Sequence, residues 1–250
     1  IDVSSTGEQG ASGAFGATIA AGGRFTCFTS ASSNLVPGDT NNTWDIFVHD
    51  LQTGVTERVS LAADGTEGNA ASIDTPAISA DGRFVAFGSS ASNLVPGDTN
   101  NVDDVFIKDR QTGAISRVSV GPGGTESNGY SFSPGIVGAG RYIVFTSTAT
   151  NLAAGDANAA PDIFVHDRQT GITELISCTP QGIPGNGASA TTPRRSMSED
   201  GRYVTFSSDS TNLAPDANGV RDIFVRDRWL QTTRMVSLSE SGVQTNGGTG

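Results

Sequence analysis

The chain has 250 residues, and 32 glycines against only 16% charged residues mark it as turn-rich rather than helical. A formal net charge of −11, with Lys108 the single lysine, argues against nucleic acid as a partner, since phosphate binding is led by clustered Lys and Arg. No apolar stretch is long enough to insert into a membrane.

In chain order, residues 1–10 read IDVSSTGEQG and match two later segments, RVSLAADGTEGN (58–69) and RVSVGPGGTESN (117–128). A block follows that recurs as GRFTCFTS (23–30), GRFVAFGS (82–89), GRYIVFTS (140–147) and GRYVTFSS (201–208). A second block recurs as DIFVHD (45–50), DVFIKD (104–109), DIFVHD (162–167) and DIFVRD (222–227). Its first Asp steps from 45 to 104 to 162 to 222, so the period is 59, 58 and 60 residues. The repeats run approximately over 11–60, 70–119, 128–177 and 187–237, within one domain spanning 1–250. The chain ends on RMVSLSESGVQTNGG, so 1–10 and 238–250 are extra partial elements, two candidates for one closing place.

Within the second repeat, alternation predicts strands at Pro76–Ala80, Arg83–Ser89, Asp104–Lys108 and Ile115–Val120. Ala-Asp-Gly and Gln-Thr-Gly supply tight turns between the first two and the last two. Both faces of RFVAF are largely apolar, as in a strand buried between layers. Four antiparallel strands per repeat define an all-β fold, a β-propeller of four-stranded blades, either complete or a piece of a larger ring. In that meander the short turns share one face. The long connections, 90–103 and 121–132, share the other, where binding is expected. An unpaired terminal strand would also let copies associate into a homo-oligomer.

The segment ISADGRFVAF (78–87) resembles the PD40 repeat, the WD40-like unit of TolB-type propellers. The resemblance covers all four repeats; it implies the propeller fold and, less directly, a protein-partner platform.

The loop before each DIFV-type strand carries Asp-x-Asn-x-x-x-Asp: Asp39, Asn41, Asp45; Asp98, Asn100, Asp104; Asp156, Asn158, Asp162; and Asp216, Asn218, Asp222. Acidic oxygens at this spacing begin calcium loops, although the usual acid at position five is missing. Side-chain-to-backbone turns explain the same residues without a metal. His49 and His166 share a repeat position with Lys108 and Arg226, which reads as a solvated strand face. Asp50, Asp109, Asp167 and Asp227, with Arg110, Arg168 and Arg228 beside three of them, read as blade-edge ion pairs, and Arg24, Arg83, Arg141 and Arg202 as structural salt bridges. Features unique to one blade are Trp44, Trp229, Tyr130 and Arg194-Arg195; Trp44 is the candidate ligand-binding residue, placed either to stack on a sugar or to cap the loop.

These readings converge on a non-enzymatic binding or scaffold module with calcium-stabilised loops and a protein or carbohydrate partner. The alternative is a multivalent lectin-like propeller; a hydrolase or lyase acting at the central channel ranks below both. The start at Ile1, without a signal peptide, leads to the expectation of a processed chain in an extracellular or periplasmic setting.

Overall fold

The computed structural model describes residues 2–158, 160–191, 196–215 and 218–244. Its strands form four antiparallel sheets, each a meander in chain order. Blade one is β1 (Ala14–Ile19), β2 (Phe25–Ser30), β3 (Asp45–Asp50) and β4 (Thr56–Arg58). Blade two is β5 (Ala77–Ile78), β6 (Phe84–Ser89), β7 (Asp104–Asp109) and β8 (Ile115–Arg117). Blade three is β9 (Ser131–Val137), β10 (Tyr142–Ser147), β11 (Asp162–Asp167) and β12 (Ile172–Leu175). Blade four is β13 (Ser189–Ala190), β14 (Tyr203–Ser208), β15 (Asp222–Asp227) and β16 (Thr232–Met235).

The second and third strands match the sequence expectation closely, whereas the flanking strands are shorter. The fourth strand ends early because a serine hydroxyl replaces a ladder carbonyl. Val105 N–H donates to Ser119 Oγ, and Ser60, Ser177 and Ser237 do the same for Ile46, Ile163 and Ile223. Facing phenylalanines on the second and third strands pack with ring centroids 5.7–6.0 Å apart in every blade, stacked in three and tilted for Phe87 and Phe106.

The core lies between blades rather than within them, which is why β6 is buried along its whole length. Packing joins blade one to two, two to three and three to four; no comparable strand packing joins four to one among the described residues. β14 accordingly alternates between exposed and buried positions, one face being uncovered.

Each joint has the same parts. Phe25 carries Arg24 of its own blade at 4.7 Å and Arg110 of the next at 4.4 Å. Phe84 lies between Arg83 and Arg168, and Tyr142 between Arg141 and Arg228. The glycine of the next blade's turn closes the seat: Gly82, Gly140 and Gly201 meet these rings so closely that a Cβ would fall 2.1–2.4 Å from ring carbon. Arg24, Arg83, Arg141 and Arg202 bind Asp50, Asp109, Asp167 and Asp227 in their own blades, as structural salt bridges. The neighbouring Arg110 and Arg228 instead reach back to Glu57 and Glu174 of the preceding blade.

The position shared by His49, Lys108, His166 and Arg226 is buried, which corrects its reading as a solvated face. The linker from the preceding blade crosses it. Lys108 Nζ donates to Leu61 O at 2.8 Å, and Arg226 donates to Thr179 O at 3.2 Å. The histidines bond Thr56 and Thr173, whose hydroxyls donate to Val3 O and Val120 O. Residues 2–10 thus dock on blade one as an interblade linker does, while 238–244 form the same hairpin beyond blade four. The two terminal elements do not compete for one place. Cys27 and Cys178 are buried and free.

Two outcomes follow from the joint. Gly23 and Gly140 both have positive φ, but only Gly140 faces a ring, Phe84. Alanine at either should cost about 1–2 kcal/mol for the left-handed backbone, and Gly140→Ala a further ~1–3 kcal/mol for overpacking. Urea unfolding compares them, and equal losses would refute the glycine seat. Secondly, hydrogen bonds from the paired arginines hold the four Asp carboxyls below their usual range, Asp227 at about 2. A carboxyl lowered by folding contributes stability above its unfolded value near ~4, lost as pH falls through its folded value. The melting temperature should therefore decline between about pH 4 and pH 2, and Arg202→Gln should make that decline shallower; an unchanged slope would sink the assignment.

Candidate functional site

The loop between β2 and β3 brings Asp39 and Asp45 together, as the sequence suggested, but around a cation supplied by the chain. Arg58 NH1, from β4, lies 2.9 Å from Asp39, 3.4 Å from Asp45 and 2.7 Å from Glu67. Blade two repeats this, with Arg117 at 3.0 Å from Asp98, 3.1 Å from Asp104 and 2.8 Å from Glu126. Asn41 and Asn100 act as turn residues, each accepting from a backbone N–H two residues on and donating to the linker carbonyl of Gly68 or Ser127. Ser60 and Ser119 donate to the remaining oxygens of Asp45 and Asp104 at 2.5 Å.

Three carboxylates share one guanidinium, so charge and burial pull apart. Burial pushes Asp39, Asp98 and Asp104 upward despite the arginine. Hydrogen bonds from Thr40 and Thr99, reinforced by the arginines, hold Glu67 and Glu126 down at about 2. Sequence reading missed Arg58, Arg117, Glu67 and Glu126, because they lie on a different strand and linker from the loop motif.

In blades three and four the arginine position holds Leu175 and Met235, and the glutamate position Pro184 and Gln244. Asp222 is satisfied by Ser237 at 2.5 Å and by the Gln244 amide at 3.3 Å. Asn218 Oδ1 accepts from Val220 N–H at 3.1 Å. Asp156 and Asp162 stay buried near Asn158, which donates to Gly185 O at 2.6 Å. Asp216, with the Arg194-Arg195 pair, lies outside the described residues.

Trp44 is half-buried and packs edge-on against Phe15 of β1, with ring centroids 5.1 Å apart at 62°. Trp229 and Tyr130 are exposed, the former beside Arg202.

A large concavity lies away from the long-loop face. It has a volume of about 1290 Å³ and lies at the short-turn end of the central channel, lined by Ile19, Ile78 and Ile136 of the innermost strands and by Met197 and Glu199 from the segment before β14. At the other end of the same strands sits Asp74, a carboxylate without a counterpart in the other blades. It accepts from Ser133 N–H of blade three and from Thr75 N–H, and burial raises its pKa. Aligning the four copies position by position singles it out: Gly16, Ser133 and Thr191 stand elsewhere.

The chain is thus an all-β propeller of four four-stranded blades. No family model matches it, and no curated protein does. Solved structures do. TolB from Acinetobacter baumannii aligns with a TM-score of 0.50 at 16% identity, over 90% of this chain and 43% of that one. The β-propeller domain of the Trilobed protease from Pyrococcus furiosus, described as having an open velcro topology, aligns at 0.50 and 13%, over 86% of this chain and 54% of that one. Dipeptidyl peptidase 4 from Porphyromonas gingivalis aligns at 0.51 and 11%, over 88% and 32%. The fold is that of TolB-like propellers, and the chain spans less than two thirds of each of these proteins. Among the described residues no helix is long and apolar enough to cross a membrane.

Removing the buried guanidinium strands three carboxylates. Arg117→Leu should cost about 3–5 kcal/mol, read from denaturant unfolding. A loss below ~1 kcal/mol, the level of an exposed pair, would mean that the cluster is effectively solvated.

Proposed function

We propose that the chain is a binding and scaffold module that takes an extended, apolar polypeptide segment into the cavity at the short-turn end of its channel. One observation carries the reading: most residues recurring in every blade are engaged in holding the fold, whereas the cavity joins a shared apolar position, Ile19, Ile78, Ile136 and Met197, to an unequal one, where Glu199 stands in place of Ala21, Ala80 and Gly138. A site for a single ligand needs such unequal walls. Ile19, Ile78, Ile136 and Met197 give an apolar lining, with Glu199 among the polar groups. Its volume of about 1290 Å³ is above the ~300–1,000 Å³ usual for small-molecule pockets, which favours a polypeptide. The innermost strands β1, β5, β9 and β13 are sheet edges, with main-chain groups that an extended segment can pair. Two of the similar structures are named as a protease and a dipeptidyl peptidase, which agrees with a polypeptide occupant. A sugar at Trp44 is less favoured, since Phe15 packs against its ring.

Panning a displayed library of extended peptides against the protein tests this. Apolar peptides should be enriched, and Ile19→Glu should abolish the enrichment. Ile172→Glu, on the outermost strand of blade three, should leave it intact. No enrichment, or enrichment indifferent to Ile19→Glu, defeats the proposal.

A further inference from the structure

Blade three departs from the way the other blades satisfy the carboxylates beside their third strand. In blades one and two a guanidinium nitrogen lies against Oδ1 of the first Asp and Oδ2 of the last: Asp39 and Asp45, then Asp98 and Asp104. In blade four the Gln244 amide reaches Oδ2 of Asp222. In blade three the corresponding positions hold Leu175 and Pro184, and neither side chain can donate. The same two atoms, Asp156 Oδ1 and Asp162 Oδ2, are buried there with no hydrogen-bond partner. Asp156 is 6% exposed and Asp162 fully buried.

We infer that Asp156 and Asp162 hold a hard divalent cation, calcium by preference, in the place that blades one and two give to an arginine. These oxygens correspond to the pair that grips one guanidinium in blades one and two, a place that calls for positive charge, and a donor set made only of oxygen selects hard cations over soft ones. Ser177 and Asn158 supply neutral donors to these carboxylates, but leaving both ionised without a counter-charge would cost several kcal/mol. Burial raises both carboxyls, Asp162 to about 6. No group of three or more His, Cys, Asp or Glu side chains among the described residues is placed to hold a metal. The site is therefore a two-carboxylate one, and water and carbonyl oxygens must fill the rest of a shell of roughly six to eight. Its affinity should resemble that of extracellular calcium modules, about 10⁻⁴–10⁻³ M. The inference stands apart from the channel reading and narrows the metal expectation from four loops to one.

Chelator-stripped protein titrated with calcium chloride by calorimetry, alongside thermal unfolding, tests it. One ion should bind per chain, and ~10 mM calcium should raise the melting temperature by about 2–8 °C. Asp156→Asn should abolish both effects, and Asp39→Asn neither. The double variant Leu175→Arg with Pro184→Glu, which installs the blade-two solution, should be stable without calcium and bind none. This variant also decides the matter if Asp156→Asn does not fold. Absence of heat and of a shift up to ~10 mM calcium or magnesium, well above the expected affinity range, overturns the inference. So does binding that survives Asp156→Asn, or binding lost in Asp39→Asn. A melting temperature raised by acid but not by calcium would show the two carboxyls sharing a proton, and overturns it equally.

Discussion

The molecule is held together by a ring clamped between two arginines. At each joint the aromatic residue after the turn receives one guanidinium from its own blade and one from the next, while a glycine of that next blade closes against its edge. A cation over an aromatic face is worth about 0.5–2 kcal/mol, so no single contact is decisive. The arrangement matters because it fixes the distance and rotation between blades. The apolar layers between blades can close only at that spacing, and the bond from Arg110 to Glu57 ties the same joint at its outer end. Stability is then a sum over neighbours, as in other repeat proteins. A fault in one joint loosens one interface and leaves the others standing.

The long-loop face obeys a second local rule, an anionic cluster neutralised from within. Asparagine pairs carry the loops across blade boundaries: Asn69 N–H donates to Asn93 Oδ1 while the Asn69 amide bonds Ser92 reciprocally, and Asn128 with Asn151, and Asn186 with Asn212, follow suit. Underneath, Arg58 and Arg117 draw loop, fourth strand and linker into one unit. The richness in Asp and Asn that suggests a binding surface therefore goes largely into rigidity. Variation between blades falls instead at the channel, where Glu199 stands in place of Ala21, Ala80 and Gly138.

Much of this was legible in the sequence. The alternation in GRFVAF and DVFIKD placed the two central strands of every blade, and the 58–60-residue spacing gave the blade count. What escaped depends on partners far apart in the chain. Arg58 stands 13 residues beyond Asp45 on another strand, and the linker delivers Glu67 back to the loop. A signal was present. Arg and Glu occur together in blades one and two and vanish together in blades three and four, as Leu175 with Pro184 and Met235 with Gln244. Paired change between copies of one chain reports contact as co-variation between homologues does. The burial of His49 and its equivalents escaped for another reason: alternation counts strands above and below, whereas the linker crossing that position has no period.

The rule of the joints also bears on the ends of the arc. Blade one has Leu51 where the later blades have Arg110, Arg168 and Arg228. Blade four offers Tyr203 under Arg202, with the residue 41% exposed and no second guanidinium upon its ring among the described contacts. Were blade one to dock on blade four as two docks on one, Gly23 would meet Tyr203 correctly, but Leu51 would bring an apolar side chain to the place of the second cation. The clamp would be half made. Each of the three joints within the arc has a complete set of parts, and a junction of blade four with blade one would not. The residues at 51 and 203 thus argue against closing these four blades into a ring by the contact that builds the rest of the molecule, in agreement with the half-exposed strand β14.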